Sequence, residues 1–262
     1  MEPRIPLYFL YVKIRPHWGF VSRLIPFSKS RPAMDFIPPT TMIGALSHAL
    51  TGILGLCSEN IFIDGVEVSR AEIFRSMFKS LHATRLKGGL YSDLQKVYFF
   101  DRRRRIAKSD AVALEKMYVY DEVDLVYLID PIIAEEFLGD EWQKTMRIAA
   151  WGITRIGQKE CIVSAEYVDF GVAEPYENEI KTIDNYYFMT RYALPIRGHY
   201  QLREIIDWTS TPIGEYRKAK RTMLCIPEGE VEVELTKEGM FYKISTHGYV
   251  IGPRMPEKVS KY

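Results

Sequence analysis

An α+β fold is predicted for this 262-residue chain, on three observations. Strand-like and helix-like stretches alternate through its first two thirds. A proline-rich segment, where neither a long helix nor a central strand can form, separates the first strand from the first helix. A basic and aromatic stretch near the middle has too few apolar residues, too tightly clustered, to be a core element.

The elements follow in order. Leu7 to Ile14 reads Leu-Tyr-Phe-Leu-Tyr-Val-Lys-Ile, β-branched and aromatic, and is predicted as a strand. From Arg15 to Pro39 the chain carries Pro16, Pro26, Pro32, Pro38 and Pro39 with Arg15, Arg23, Lys29 and Arg31. It is expected to be a long ordered loop, a class that is usually functional in compact domains. Thr40 or Thr41 can N-cap a helix from Met42 to about Leu56. Ser69-Arg70-Ala71-Glu72 fits a capping box. The spacing of Ile73, Phe74, Met77, Phe78 and Leu81 then predicts a second helix ending near His82. Arg85 to Lys116 is expected to be a projecting hairpin or arm. Glu122 to Ile129 is predicted as a strand stopped by Asp130-Pro131. Glu141 to Trp151 is predicted as a helix with Gly152 as a left-handed stop, and Ile162 to Phe170 as a strand.

That order, strand, helix, helix, arm, strand, helix, strand, suggests an α+β sandwich of ferredoxin-like type with an inserted arm. The remainder is richer in aromatics and turns. Glu230 to Glu234 alternates as a half-exposed strand, and Phe241–Ser245 and Tyr249–Ile251 are expected as short strands. The expected organisation is a domain over 1–173, with the arm at about 85–116, and a smaller β-rich region over 174–262.

Composition excludes several classes. With 47% hydrophobic and 13% aromatic residues the chain can bury a core. A net charge of +1 means that any nucleic-acid site must come from local clusters. Cys57, Cys161 and Cys225 have no zinc-ligand spacing and are expected as buried thiols in a reducing cytosol. The first residues do not read as a signal peptide. The apolar window Met42–Cys57 is too short to span a bilayer. A cytoplasmic protein without membrane contact is expected. Asn and Gln are scarce, which suggests a thermophilic source.

Arg102, Arg103, Arg104 and Arg105, preceded by Tyr98, Phe99 and Phe100, combine guanidinium forks with stacking faces. Single-stranded nucleic acid is bound with that combination. The plainer alternative is a solvated charged loop, or pairing with Asp121 and Glu122. Arg155-Ile156-Gly157-Gln158-Lys159 offers a glycine for close backbone approach between two cations, and is equally readable as an ordinary turn. Glu215 to Arg221 is a third basic stretch, read as solvated surface or a contact to RNA or a partner. No nucleophile, phosphate-loop or metal-ligand motif is present, so no metal or cofactor is expected. His48 is expected as a core histidine. His199 and Tyr200, with a lysine, could supply general acid–base cleavage of RNA.

Two stretches carry a family resemblance. Phe36-Ile37-Pro38-Pro39-Thr40-Thr41-Met42-Ile43-Gly44-Ala45-Leu46 resembles the Pro-Pro-(Thr/Ser)-Thr-x-x-Gly-(Ala/Leu)-Leu signature of the fifth CRISPR-associated protein family, a RAMP-superfamily subunit of type I Cascade complexes. Thr154 to Cys161 is similar to that family's Arg-x-Gly-(polar)-(Arg/Lys)-x-Cys turn. The proportions look most like the archaeal I-A subtype. The resemblance implies an RRM-like (ferredoxin-like) RAMP domain with a thumb β-hairpin at 85–116. It implies a non-catalytic subunit in antiviral defence that caps the 5′ handle of the crRNA and contacts the backbone RAMP subunit and the large subunit. Arg23, Arg31, Thr40, Thr41, Gly44, Arg155, Gly157 and Lys159 would flank the handle. Tyr98, Phe99 and the four arginines would act from the thumb. Two alternatives stay open. One is a metal-independent endoribonuclease that processes precursor crRNA, as the I-C member does. The other is a protein-interaction subunit without RNA contact.

Overall fold

The computed structural model describes residues 6–17, 19–22, 33–63, 65–101, 105–158, 161–176, 182–212 and 219–256. Within them the chain is a mixed α/β structure in which strand outweighs helix. The main sheet has six strands: β1 (Leu7–Pro16), β4 (Phe78–Ala83), β7 (Val123–Ile129), β8 (Val163–Tyr176), β13 (Gly239–Lys243) and β14 (Tyr249–Pro253). Their order is β14-β13-β8-β1-β7-β4, antiparallel throughout.

The near-continuous apolar run of β1 has a physical cause, since this strand is buried on both faces. Leu10, Val12 and Ile14 point into the core built with α1 (Pro39–Ile53) and α4 (Trp142–Trp151). Leu7, Phe9 and Tyr11 point the other way, into a second cluster with Met240, Tyr242 and Val250. Each such side chain contributes roughly 1.5–3 kcal/mol by leaving water. The cluster on the second face also draws β13 and β14 onto the edge of β8, so strand pairing crosses residue 173.

Helix starts and stops correct several expectations. The N-cap of α1 is Pro38, whose carbonyl accepts from Thr41 N at 2.9 Å and Met42 N at 3.1 Å. Thr40 and Thr41 therefore lie in the first turn and do not cap it; Pro39 starts the helix because its φ is preset. The second helix, α2, spans only Arg70–Arg75. Ser69 caps it, accepting from Ala71 N at 3.3 Å, but Phe78 to Ala83 form β4 instead of further turns. Pairing along β7, with Phe78 opposite Ile129 and Leu81 opposite Tyr127, satisfies that backbone in the sheet and overrides the helical spacing. Asp130-Pro131 ends β7 as expected and also starts an unexpected helix, α3 (Pro131–Leu138). Asp130 Oδ1 accepts from Ile132 N at 3.0 Å, and Pro131 fits the first turn. Gly152 has φ −79°, so it is no left-handed stop. A methyl there would lie 3.3 Å from Ala49 Cβ, so its smallness lets α4 approach α1.

The arm stretch holds β5 (Gly88–Asp101) and β6 (Ile106–Val119), a two-stranded hairpin paired in unbroken register. A smaller hairpin, β2 (Asn60–Ile63) with β3 (Val66–Ser69), follows α1. The C-terminal part adds a second sheet of β9 (Thr182–Ile183), β10 (Phe188–Met189), β11 (Ala193–Ile206) and β12 (Arg221–Leu235). Glu230 to Glu234 sits inside β12, with Val231 and Val233 buried. Cys161 and Cys225 are buried as expected, but Cys57 is exposed. Among the described residues no helix is long and apolar enough to cross a membrane.

Candidate nucleic-acid interface

Residues 154–158 follow α4, and 161–162 lead into β8. Ile156 N donates to Cys161 O and Cys161 N to Gln158 O, each at 3.0 Å, and Arg155 bridges to Ile162. At the tip Gly157 has φ +97°, which a side chain rarely tolerates. A Cβ on it would stand 2.9 Å from Val21 O. Val21 N in turn donates to the buried Cys161 Sγ at 3.2 Å. The turn and the segment after β1 are therefore clasped together by glycine and cysteine, which explains why those two residue types stand four apart.

This clasp forms one wall of a cleft of about 480 Å³, large enough for a nucleotide. The facing wall is α1, through Thr41, Gly44, Ala45 and His48. Arg155, half-buried, brings the cation; among the described residues it makes no ion pair. Gly44 is informative in another way. A glycine inside a helix costs roughly 0.5–1 kcal/mol against alanine, and here no neighbour requires it, because a Cβ would meet nothing within 4 Å. The space it leaves open belongs to the cleft.

The structure thus brings Thr41, Gly44, Arg155 and Gly157 into one site, although more than a hundred positions separate the two motifs. Thr40 lies beside them in the first turn of α1. The hairpin residues are elsewhere. Tyr98 pairs with Ser109 and Phe99 with Lys108 along β5–β6, and Arg105 is exposed at φ 52° where the hairpin turns. Arg23, Arg31, Arg102, Arg103, Arg104 and Lys159 lie outside the described residues.

Among the lining residues missed in sequence are His48 and Glu59. His48 was expected in the core; it is exposed, with Nδ1 2.7 Å from Glu59 Oε1 at the cleft edge. Its position could have been found, since 41, 44 and 48 share a helix face. Glu59 had no such signal, because it is brought in by the chain leading to β2. The buried histidine is His82: its Nδ1–H donates to Tyr187 O at 2.9 Å and its Nε2 accepts from Ser80 Oγ at 2.8 Å. Burial holds its pKa down at about 4. His199 and Tyr200 lie on β11, outside the cleft lining. A second hollow, about 550 Å³, opens where the hairpin base meets β12, but its cations are already compensated. Arg85 bonds Glu228 at 2.6 Å and Asp35 at 3.2 Å, and Lys87 faces Asp121 at 3.5 Å. In the first cleft Arg155 has no such ion pair among the described residues. Among the described residues no group of acidic, His and Cys side chains could hold a metal.

Comparison with known proteins gives the family and the fold. Residues 18–222 match the family model described as CRISPR-associated protein (Cas_Cas5). A CRISPR system aCascade subunit Cas5 of Saccharolobus solfataricus is 31% identical over 207 residues, covering 75% of this chain and 78% of the relative. A second protein of that organism, CRISPR-associated protein Cas5 3, is 29% identical over 183 residues, covering 68% and 70%. Among solved structures, a CRISPR protein from Archaeoglobus fulgidus superposes with a TM-score of 0.52 at 17% identity, covering 94% of this chain and all of that one. That last likeness concerns the fold.

Proposed function

We propose that this chain, which belongs to the CRISPR-associated Cas5 family, is a non-catalytic, crRNA-binding subunit of a Cascade effector in antiviral defence. It grips the 5′ handle of the guide RNA in the cleft between α1 and the turn at Gly157. The carrying observation is that two motifs far apart in sequence line one cleft with Arg155, Gly157 and an open Gly44. Phosphates meet Arg155 and the exposed backbone of the Gly157 turn. Thr40, Thr41 and Gly44 admit the RNA backbone closely. Arg23, Arg31 and Lys159 are further candidate RNA contacts, and they lie outside the described residues.

In this reading the β8-β1-β7-β4 order with α1 and α4 on one face is the ferredoxin-like, RRM-like RAMP core. The β5–β6 hairpin is the thumb, with Tyr98, Phe99 and Arg102–Arg105 contacting RNA, and 174–262 is the smaller β-rich region. The partners are the crRNA, the neighbouring backbone RAMP subunit and the large subunit, in the cytoplasm. The aCascade name of one relative supports assembly into such a complex.

The test is titration of fluorescent handle RNA with wild type, Arg155→Ala, and a variant with all four thumb arginines changed to alanine. Each variant is expected to weaken binding, and each lost phosphate contact lowers the salt slope by about 0.7 for a single strand. Unchanged affinity and slope in Arg155→Ala would overturn the cleft reading. Equal affinity for handle and scrambled RNA would favour a protein-interaction subunit. Cleavage of repeat RNA by clean protein in chelator, lost in His199→Ala, would favour the endoribonuclease.

A further inference from the structure

A cleft that only cradles phosphates has no use for a carboxylate, which repels every phosphate brought near it. Glu59 nevertheless lines this one, together with Arg155. Its backbone is anchored, and its carboxylate meets His48. Its carbonyl accepts from Arg70 N at 2.8 Å, the Arg70 Nε–H donates to the adjacent Ser58 O at 2.5 Å, and its Oε1 is 2.7 Å from His48 Nδ1. His48 stands one turn beyond Gly44 on the same helix face, so the carboxylate it meets lines the same cleft as Gly44 and Ala45. Glu59 Oε2 has no partner among the described residues.

That arrangement combines a lining of small residues, Gly44 and Ala45, with a hydrogen-bond acceptor and a cation in one cleft. It suits a nucleotide whose phosphate meets Arg155 and whose base edge meets Glu59. A carboxylate only accepts. Guanine offers two adjacent donors, N1–H and the N2 amino group. Adenine and cytosine offer one amino group each. Uracil offers a single N–H between two carbonyl oxygens that repel the acid.

Resting on the reading that RNA occupies this cleft, we infer that Glu59, positioned by His48, is a specificity-determining residue that accepts from the donor edge of one nucleobase, guanine before adenine or cytosine, and uracil last.

The experiment uses the full chain and a set of fluorescent octauridines, each with one guanosine moved stepwise along the strand. At one position guanosine is expected to tighten binding roughly tenfold over all-uridine RNA, with inosine there giving a smaller gain. Glu59→Gln is expected to erase that preference, because the amide loses one acceptor for guanine and gains a donor for a uracil carbonyl, and His48→Ala is expected to reduce it. A flat profile in wild type, or a guanosine preference that survives Glu59→Gln, overturns the inference while leaving the cleft reading standing. Loss of all-uridine affinity in Arg155→Ala reports RNA in the cleft. If Arg155→Ala leaves that affinity unchanged, the cleft reading falls first and the inference with it.

Discussion

Gly44→Ala adds one methyl to α1 on the face that floors the cleft, and stability and binding are expected to move in opposite directions. Inside the chain the methyl meets nothing within 4 Å. The helix therefore gains its ordinary preference for alanine over glycine, roughly 0.5–1 kcal/mol. For a chain of this size each kcal/mol moves Tm by about 2–4 °C, so a rise of about 1–4 °C is expected. The same methyl stands where the RNA backbone approaches. Forcing a methyl into a packed contact costs on the order of 1–3 kcal/mol, or about 5- to 150-fold in Kd. Thermal unfolding and a handle-RNA titration on the same preparation check both halves. A raised Tm with unchanged Kd would refute the placement of RNA over Gly44. A lowered Tm would refute the open space above it.

Gly157→Ala is expected to do the reverse of stabilising. A side chain at φ +97° facing Val21 O at 2.9 Å adds strain of about 1–3 kcal/mol, lowering Tm and loosening the cleft wall. Stability should also depend on His82. The unfolded chain takes up that proton below about pH 6.5 while the folded chain resists until about pH 4, so stability is lost as pH falls through this window. The loss approaches about 3 kcal/mol. Urea midpoints against pH check it, and His82→Gln should flatten the acid limb. Asp130→Ala removes the cap of α3 and the 3.0 Å pair with Lys79, costing about 1–2 kcal/mol by urea unfolding while handle-RNA affinity is unchanged.

Elements that bury a strongly patterned stretch were legible from the residues. The strands at Leu7, Val123 and Val163 and the helices α1 and α4 declare themselves because apolar content and period agree. The failures share a cause. Between Ile73 and Leu81 the apolar spacing fits a helix, yet β7 offers an edge to pair with, and sheet hydrogen bonds decide the matter. Asp130-Pro131 reads as a stop because proline ends strands, and the same pair starts α3 because a capping carboxylate and a preset φ also begin helices. Gly152 resembles a stop, but its smallness serves the contact with Ala49.

The same division holds for the site. Local chemistry alone marks Gly157 as a turn residue, Arg155 as its cation, and Thr41 and Gly44 as the opening of a helix. Those properties belong to short stretches and survive in the linear order. Only the tertiary structure sets the two stretches face to face, because closure depends on Cys161 and Gly157 meeting Val21 across the chain. It also brings Glu59 to the cleft through a small hairpin whose sequence carries no mark of its destination. A pattern records what each segment can do alone, whereas the meeting of distant segments depends on how the whole core packs.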